Sequence, residues 1–231
     1  MRSTLLWVIT FAHFGLVCPV VILLGGIFGQ RRIDPLLRLM CRNVVRFAGA
    51  RLRVNYAEGF DSTRTCFFVC NHTNLFDPFV LYSALPQFTR GLELESHFEV
   101  PIYGWLMKRF GNVPVPDERT AEGLKRTYRL TRESLDNDIS LIVFPEGGRT
   151  LDGKLQPFQD GVFRMARQTG YPIVPVTVAD SFRWKRKTSR TLRPGPVTVH
   201  VHDLIEVSEL DRSQLRDLST RVHAIIGAPL G

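Results

Sequence analysis

From Ser3 to Gln30 the chain carries no formal charge, counting histidine as neutral. As a straight helix this run is about 42 Å long, enough to cross a bilayer. Pro19 interrupts it, Gly25, Gly26 and Gly29 loosen its end, and Thr10 and His13 are polar. The pattern therefore predicts an N-terminal membrane segment over residues 1–33, either one kinked span or a re-entrant hairpin. A cleaved signal peptide fits less well, because the run is long and no small-x-small site follows. A buried helix of a soluble fold is the remaining reading.

Beyond residue 33 the pattern shortens and alternates, and residues 34–231 read as one domain. Asp34-Pro35 predicts a helix start, with the helix running to Gly49. On it Arg38, Arg42 and Arg46 recur every four residues and form a basic stripe, while Leu36, Leu37, Met40, Val44 and Phe47 give an apolar side. Such a helix suits the surface of an anionic bilayer, or it packs on its own domain with a solvated arginine face. Arg51–Tyr56 alternates as a strand does, and Cys66–Cys70, Ile139–Phe144 and Ile173–Val178 are apolar runs of buried-strand length. Arg90–Glu95 predicts an edge strand, Val113 to Val115 a short one, and Pro196–His202 another. Helices are predicted from Asp77 to Leu85, Pro101 to Phe110, Glu118 to Leu135 and Phe163 to Gln168, with a last one capped by Ser208 and reaching Ile226. Apolar strands alternating with helices predict an α/β fold, a mixed sheet covered by helices.

Composition narrows the partners. The 231 residues are ordinary for a globular domain, with 44% apolar and 23% charged. The net charge of +8 points to anionic partners: a membrane surface, phosphorylated ligands, an acidic carrier protein or nucleic acid. No nucleic-acid-binding module is recognisable. Cys18, Cys41, Cys66 and Cys70 lack zinc-ligand spacing and read as buried free thiols of a reducing compartment. His200 and His202 share a strand face without a closing ligand set, so no metal is expected. If the first segment spans, the single Arg2 before it and Arg31, Arg32, Arg38, Arg42 and Arg46 after it place the domain on the cytoplasmic side.

Two clusters carry chemistry. The strand Cys66–Cys70 delivers His72 to its end, and Asp77 follows five residues later. An imidazole is a usable general base near its ordinary pKa of about 6.5. A carboxylate on its second nitrogen fixes the tautomer and stabilises the imidazolium. Asp77 also suits the N-cap before Pro78, and the two roles are compatible. The second cluster, Phe144-Pro145-Glu146-Gly147-Gly148-Arg149-Thr150, follows another buried strand. Glycines let backbone N–H groups approach a ligand, and an arginine clamps a phosphate in bidentate fashion. A third feature, the run Arg183, Lys185, Arg186, Lys187, Arg190 and Arg193 around Trp184, reads as a solvated loop or as a contact for phosphates or an acidic carrier protein.

Taken together, Asn71-His72 with Asp77 and Phe144-Pro145-Glu146-Gly147 with Arg149 resemble the glycerolipid acyltransferase superfamily, in its 1-acylglycerol-3-phosphate acyltransferase (PlsC-like) group. Val174-Pro175-Val176 resembles that family's fourth block. Asp152-Gly153-Lys154, Phe158, Gly161 and Phe163 resemble the segment before it, and Pro101, Gly104-Trp105 and Gly111 the approach to its second block. The resemblance implies a PlsC-like fold and transfer of a fatty acyl group from acyl-CoA or acyl carrier protein to the hydroxyl of a lysophospholipid, most simply 1-acylglycerol-3-phosphate, with no cofactor and no metal. It implies His72 as base, Asp77 as its orienting partner, and Glu146, Gly147 and Arg149 around the head group, with Pro175 in the fourth block. The family pattern differs at two places. Gly148 stands where the family has Thr or Ser, and Asp117 where it has Arg. Arg119 is the nearest replacement, and Lys108 or Arg109 are others. A different acceptor, such as a lyso-aminolipid, is the second reading, and a lipid hydrolase is a third.

Overall fold

The computed structural model describes residues 1–208 and 210–230; Glu209 and Gly231, within the domain expected over 34–231, lie outside them. The helices are α1 (Arg2–Phe28), α2 (Gln30–Phe47), α3 (Asp77–Ala84), α4 (Tyr103–Arg109), α5 (Ala121–Asp136), α6 (Gly161–Thr169), α7 (Ser181–Trp184) and α8 (Arg212–Gly227). The strands are β1 (Ala50–Tyr56), β2 (Phe67–Cys70), β3 (Thr89–Leu94), β4 (Val113–Val115), β5 (Ser140–Val143), β6 (Ile173–Ala179) and β7 (Gly195–Val201).

They form a seven-stranded sheet in the order β1-β7-β6-β2-β5-β3-β4. Every neighbouring pair is parallel except β6 with β7. The predicted mixed α/β sheet is therefore present. The central strands are buried at every position and largely apolar because they are covered on both faces. Phe68, Cys70, Ile142, Val174 and Val176 face one core with α1–α4. Phe67, Val69, Leu141 and Val143 face a second core with α5, α6 and α8. β3 is not an edge strand. The three-residue β4 covers its outer side, and Arg90 is fully buried in the sheet, stacked on Phe88 and facing Phe110.

Pro19 does not break α1, which runs unbroken for 27 residues. The turn falls instead at Gly29, whose φ of 86° a side chain rarely adopts. From there α2 doubles back, so that Phe47 meets His13 edge-on and Gly49 lies against Leu6. The helix predicted to start at Asp34 begins four residues earlier. Asp34 is a buried anion, paired with Arg38 (2.5 Å) and Arg90 (3.1 Å). Arg38 is thereby drawn out of the predicted basic stripe and also donates to the carbonyls of Leu85 and Gln87. Arg42 and Arg46 remain exposed. The last helix is capped by Asp211, in a reciprocal box with Gln214, and not by Ser208.

The α1–α2 hairpin is fixed to the domain at both ends. Trp7 donates to the Arg190 carbonyl and Ser3 accepts from the Leu192 N–H. At the other end Gln30 donates to the Arg109 carbonyl, and Phe110 lies against Gly25.

Candidate active site

Three adjacent strands end at one place. β5, β2 and β6 are mutually parallel, and their carboxyl ends release the Glu146 loop, the His72 turn and α7 respectively. Ligands of open α/β sheets bind outside the carboxyl ends of strands.

The His72 turn is a set of buried polar groups that bond one another. Asp77 is completely buried. Its Oδ2 lies 3.0 Å from His72 Nδ1 and accepts the backbone N–H groups of Thr73 (2.6 Å) and Asn74 (2.8 Å). Asp77 is not the N-cap of α3; that position is Phe76, and the carboxylate turns back over the loop. With Nδ1–H donated to Asp77, the lone pair of His72 is on Nε2. The imidazole stacks on Phe144, with ring centroids 4.1 Å apart and planes 19° from parallel, which fixes its plane. Its side chain keeps 17% of its surface exposed, so a substrate can reach it.

Glu146 ties the second cluster to the first. Its Oε1 accepts the His72 N–H (2.5 Å) and its Oε2 the Gln156 N–H (2.9 Å). Burial pushes its carboxyl above the usual glutamate value, and the two backbone donors pull the other way. Thr150 N–H donates to the His72 carbonyl, closing the pair of loops. Gly147 has a φ of 69°, and a Cβ there would collide with Gln159 Nε2. Gln159 in turn accepts from Arg119 and donates its backbone N–H to the Pro145 carbonyl. Arg119 is thus brought to the glutamate loop, two residues beyond the family's arginine position. Arg149 makes no ion pair among the described residues.

Two residues counted with the site from the sequence lie elsewhere. Lys108 is exposed on α4, whose inward face is taken by Gly104, Leu106 and Met107, and no hydrogen bond or ion pair among the described residues joins it to the cluster. Its neighbour Arg109 lies over Gly26 of α1. Pro175 is buried inside β6 opposite Val69, within the sheet and ahead of the strand end that faces His72. Sequence reasoning missed Ser181, which bonds Thr73 through its hydroxyl and accepts from Asn74 through its carbonyl (2.8 Å). It also left Asn71 without a role. That amide exchanges two bonds with Val178 and fastens β2 to β6 just before His72. The polar run Asn71 to Asn74 directly after a buried strand was the available signal.

The loop makes a contrast testable by substitution. Gly147→Ala forces a side chain into left-handed backbone at a cost of roughly 1–2 kcal/mol and pushes Gln159 aside. The expected result is a melting midpoint lower by about 2–8 °C. At Gly148 a Cβ would find nothing within 4 Å, and the backbone φ is not positive. Gly148→Ser should therefore leave the melting midpoint within about 2 °C, the range of a neutral surface change.

A family model described as Acyltransferase matches residues 51–179. A 1-acyl-sn-glycerol-3-phosphate acyltransferase from Cocos nucifera is 28% identical over 166 residues, covering 72% of this chain and 54% of its own length. The chloroplastic 1-acyl-sn-glycerol-3-phosphate acyltransferase BAT2 of Brassica napus is 35% identical over 159 residues, covering 67% and 45% respectively. A 1-acyl-sn-glycerol-3-phosphate acyltransferase from Haemophilus influenzae is 28% identical over 159 residues, covering 69% and 65%. The chain thus spans about half to two thirds of the length of these curated relatives. In the crystal structure of the 1-acyl-sn-glycerophosphate acyltransferase PlsC from Thermotoga maritima the fold recurs with a TM-score of 0.80, at 21% identity, over 99% of this chain and 96% of that one. With the family pattern matched across more than half its length, and the His72–Asp77 and Glu146–Arg149 motifs at the ends of two neighbouring strands, this chain belongs to the acyltransferase family.

Proposed function

We propose that the protein transfers a fatty acyl group from acyl-CoA or acyl carrier protein to the free hydroxyl of 1-acylglycerol-3-phosphate. The observation that carries this reading is the His72–Asp77 pair joined through Glu146 and Thr150 to the loop that bears Arg149, whose guanidinium makes no ion pair among the described residues. His72 Nε2 takes the acceptor's hydroxyl proton as its oxygen attacks the thioester carbonyl. The C–S bond then breaks, and the imidazolium returns the proton to the leaving thiolate. Asp77 holds the imidazole and stabilises its charge. The Glu146 carboxylate is engaged by two backbone N–H groups, so it braces the loop. Arg149 and Arg119 supply positive charge for a head-group phosphate.

The names of the relatives support this acceptor, and an acceptor panel tests it. With one labelled acyl-CoA, kcat/KM should be highest for lysophosphatidate. Equal or better use of a lyso-aminolipid would replace the acceptor, and fatty acid released at the same rate without acceptor would make the protein a hydrolase.

The same reading places the protein on a membrane. α1 is long and apolar enough to cross one. It is, however, attached along its length to the domain, through Trp7 on Phe76 and Phe14 on Phe79. Its outer face exposes Leu5, Val8, Leu16, Val20, Leu23 and Ile27 as a continuous stripe. Crossing the bilayer would drag polar parts of the attached domain into hydrocarbon, whereas lying in one leaflet buries only the stripe. The exposed Arg31, Arg32, Arg42 and Arg46 favour the anionic cytoplasmic leaflet. Leu16→Glu with Leu23→Glu should weaken sedimentation with anionic vesicles by at least about tenfold. Unchanged sedimentation would contradict embedding through this face.

A further inference from the structure

Lys185 is 7% exposed, yet no carboxylate pairs with it among the described residues. Among the described residues its ammonium donates only to the neighbouring Arg186 carbonyl (2.6 Å). The position is rigidly built. Lys185 N–H donates to the Ser181 carbonyl, which also receives Asn74 of the His72 turn. Trp184 beside it is buried, stacked on Phe76 (4.8 Å) and bonded to the Ala48 carbonyl. Phe182 packs over Gly153, fastening α7 to the loop that follows Arg149. From the next turn Lys187 Nζ reaches the Arg149 carbonyl (3.3 Å).

Lys185 and Arg149 thus stand on segments tied together by the Lys187–Arg149 and Phe182–Gly153 contacts, and neither side chain has a carboxylate partner among the described residues. Burial lowers the Lys185 pKa, and the charge of Arg149 lowers it further. A confined lysine beside an arginine is unfavourable alone and becomes favourable when an anion with several acceptor oxygens sits between them. A phosphate monoester, close to a dianion at neutral pH, fits that requirement.

We propose that Lys185, with Arg149, forms a phosphate-monoester site at the α7–β7 connection, so that the specificity apparatus includes a residue outside the motif loops. This rests on the reading of Arg149 as a phosphate-binding residue of the acyl-transfer site. The phosphate belongs either to the acceptor or to the 3′-phosphate of the CoA donor. Lys187 is a positioning residue that holds the Arg149 backbone.

The test compares wild type with Lys185→Gln, which keeps a donor for the Arg186 carbonyl, with Lys185→Arg, which keeps the charge, and with Arg149→Met. KM and kcat are measured for lysophosphatidate, for monoacylglycerol, and for acyl-CoA with and without its 3′-phosphate. Lys185→Gln should raise the lysophosphatidate KM by about 10- to 100-fold, leaving kcat and the use of monoacylglycerol nearly unchanged. Lys185→Arg should restore most of the loss and also serves if the glutamine variant fails to fold. A rise confined to 3′-phosphorylated acyl-CoA would support the site and assign it to the donor. An equal fall in kcat on phosphorylated and phosphate-free substrates, unchanged KM values throughout, or no recovery with arginine would overturn the proposal. If Arg149→Met has no effect on either phosphate while Lys185→Gln does, the head-group role of Arg149 fails and the Lys185 site stands alone.

Discussion

Replacing His72 with Ala should lower kcat for acyl transfer by roughly 10²–10⁴-fold, the usual contribution of a positioned general base. The melting midpoint should change little, because the imidazole makes one side-chain bond and keeps part of its surface exposed. The backbone N–H that Glu146 uses, and the carbonyl that Thr150 uses, are retained in alanine. Acceptor KM should stay within about threefold, since a loss confined to the transition state leaves ground-state binding intact. An alanine variant within tenfold of wild type would remove His72 from the chemistry.

The second large effect belongs to Asp77→Asn. In the native turn a single oxygen, Oδ2, meets His72 Nδ1 and the N–H groups of Thr73 and Asn74. An asparagine oxygen facing the two backbone donors keeps the turn but carries no charge to stabilise the imidazolium. An amide nitrogen facing Nδ1 instead would hold the opposite tautomer, with the proton on Nε2, where it cannot accept one. In a comparable triad the equivalent change costs about 10⁴-fold, and a loss of roughly 10²–10⁴-fold in kcat is expected here. Asp77→Ala should be worse for the fold, because it leaves two buried N–H groups without an acceptor, at about 1–3 kcal/mol each. Activity of Asp77→Asn within tenfold of wild type would mean that the carboxylate only closes the turn.

The site was legible because its residues are local to strand ends. Phe67–Cys70 is apolar from end to end and Ser140–Val143 is apolar after its first residue, so each announces both a central strand and the position of the loop after it. His72, Asp77, Glu146 and Arg149 follow from that. Lys185 did not, because a lysine in a basic run looks solvated until Trp184 and Ser181 fix it inward. The misreadings arose where tertiary contacts outweighed local signals. Asp34-Pro35 has the form of a helix start, but the Asp34 carboxylate belongs to Arg38 and Arg90, and the chain turns five residues earlier at Gly29. Arg90 suggested an exposed edge. It is buried because the aromatic rings of Phe88 and Phe110 and the Phe110 carbonyl receive it. Pro19 suggested a break, yet α1 is continuous, with Pro19 itself on the exposed side.

The most direct test of acyl transfer uses purified protein on vesicles, with labelled acyl-CoA and lysophosphatidate, following free thiol and labelled phosphatidate together. One phosphatidate should form per thiol released, and thiol release should depend on the acceptor. Thiol released at the same rate without acceptor, or no labelled diacyl product from any lysophospholipid, would contradict direct transfer by the His72–Asp77 pair.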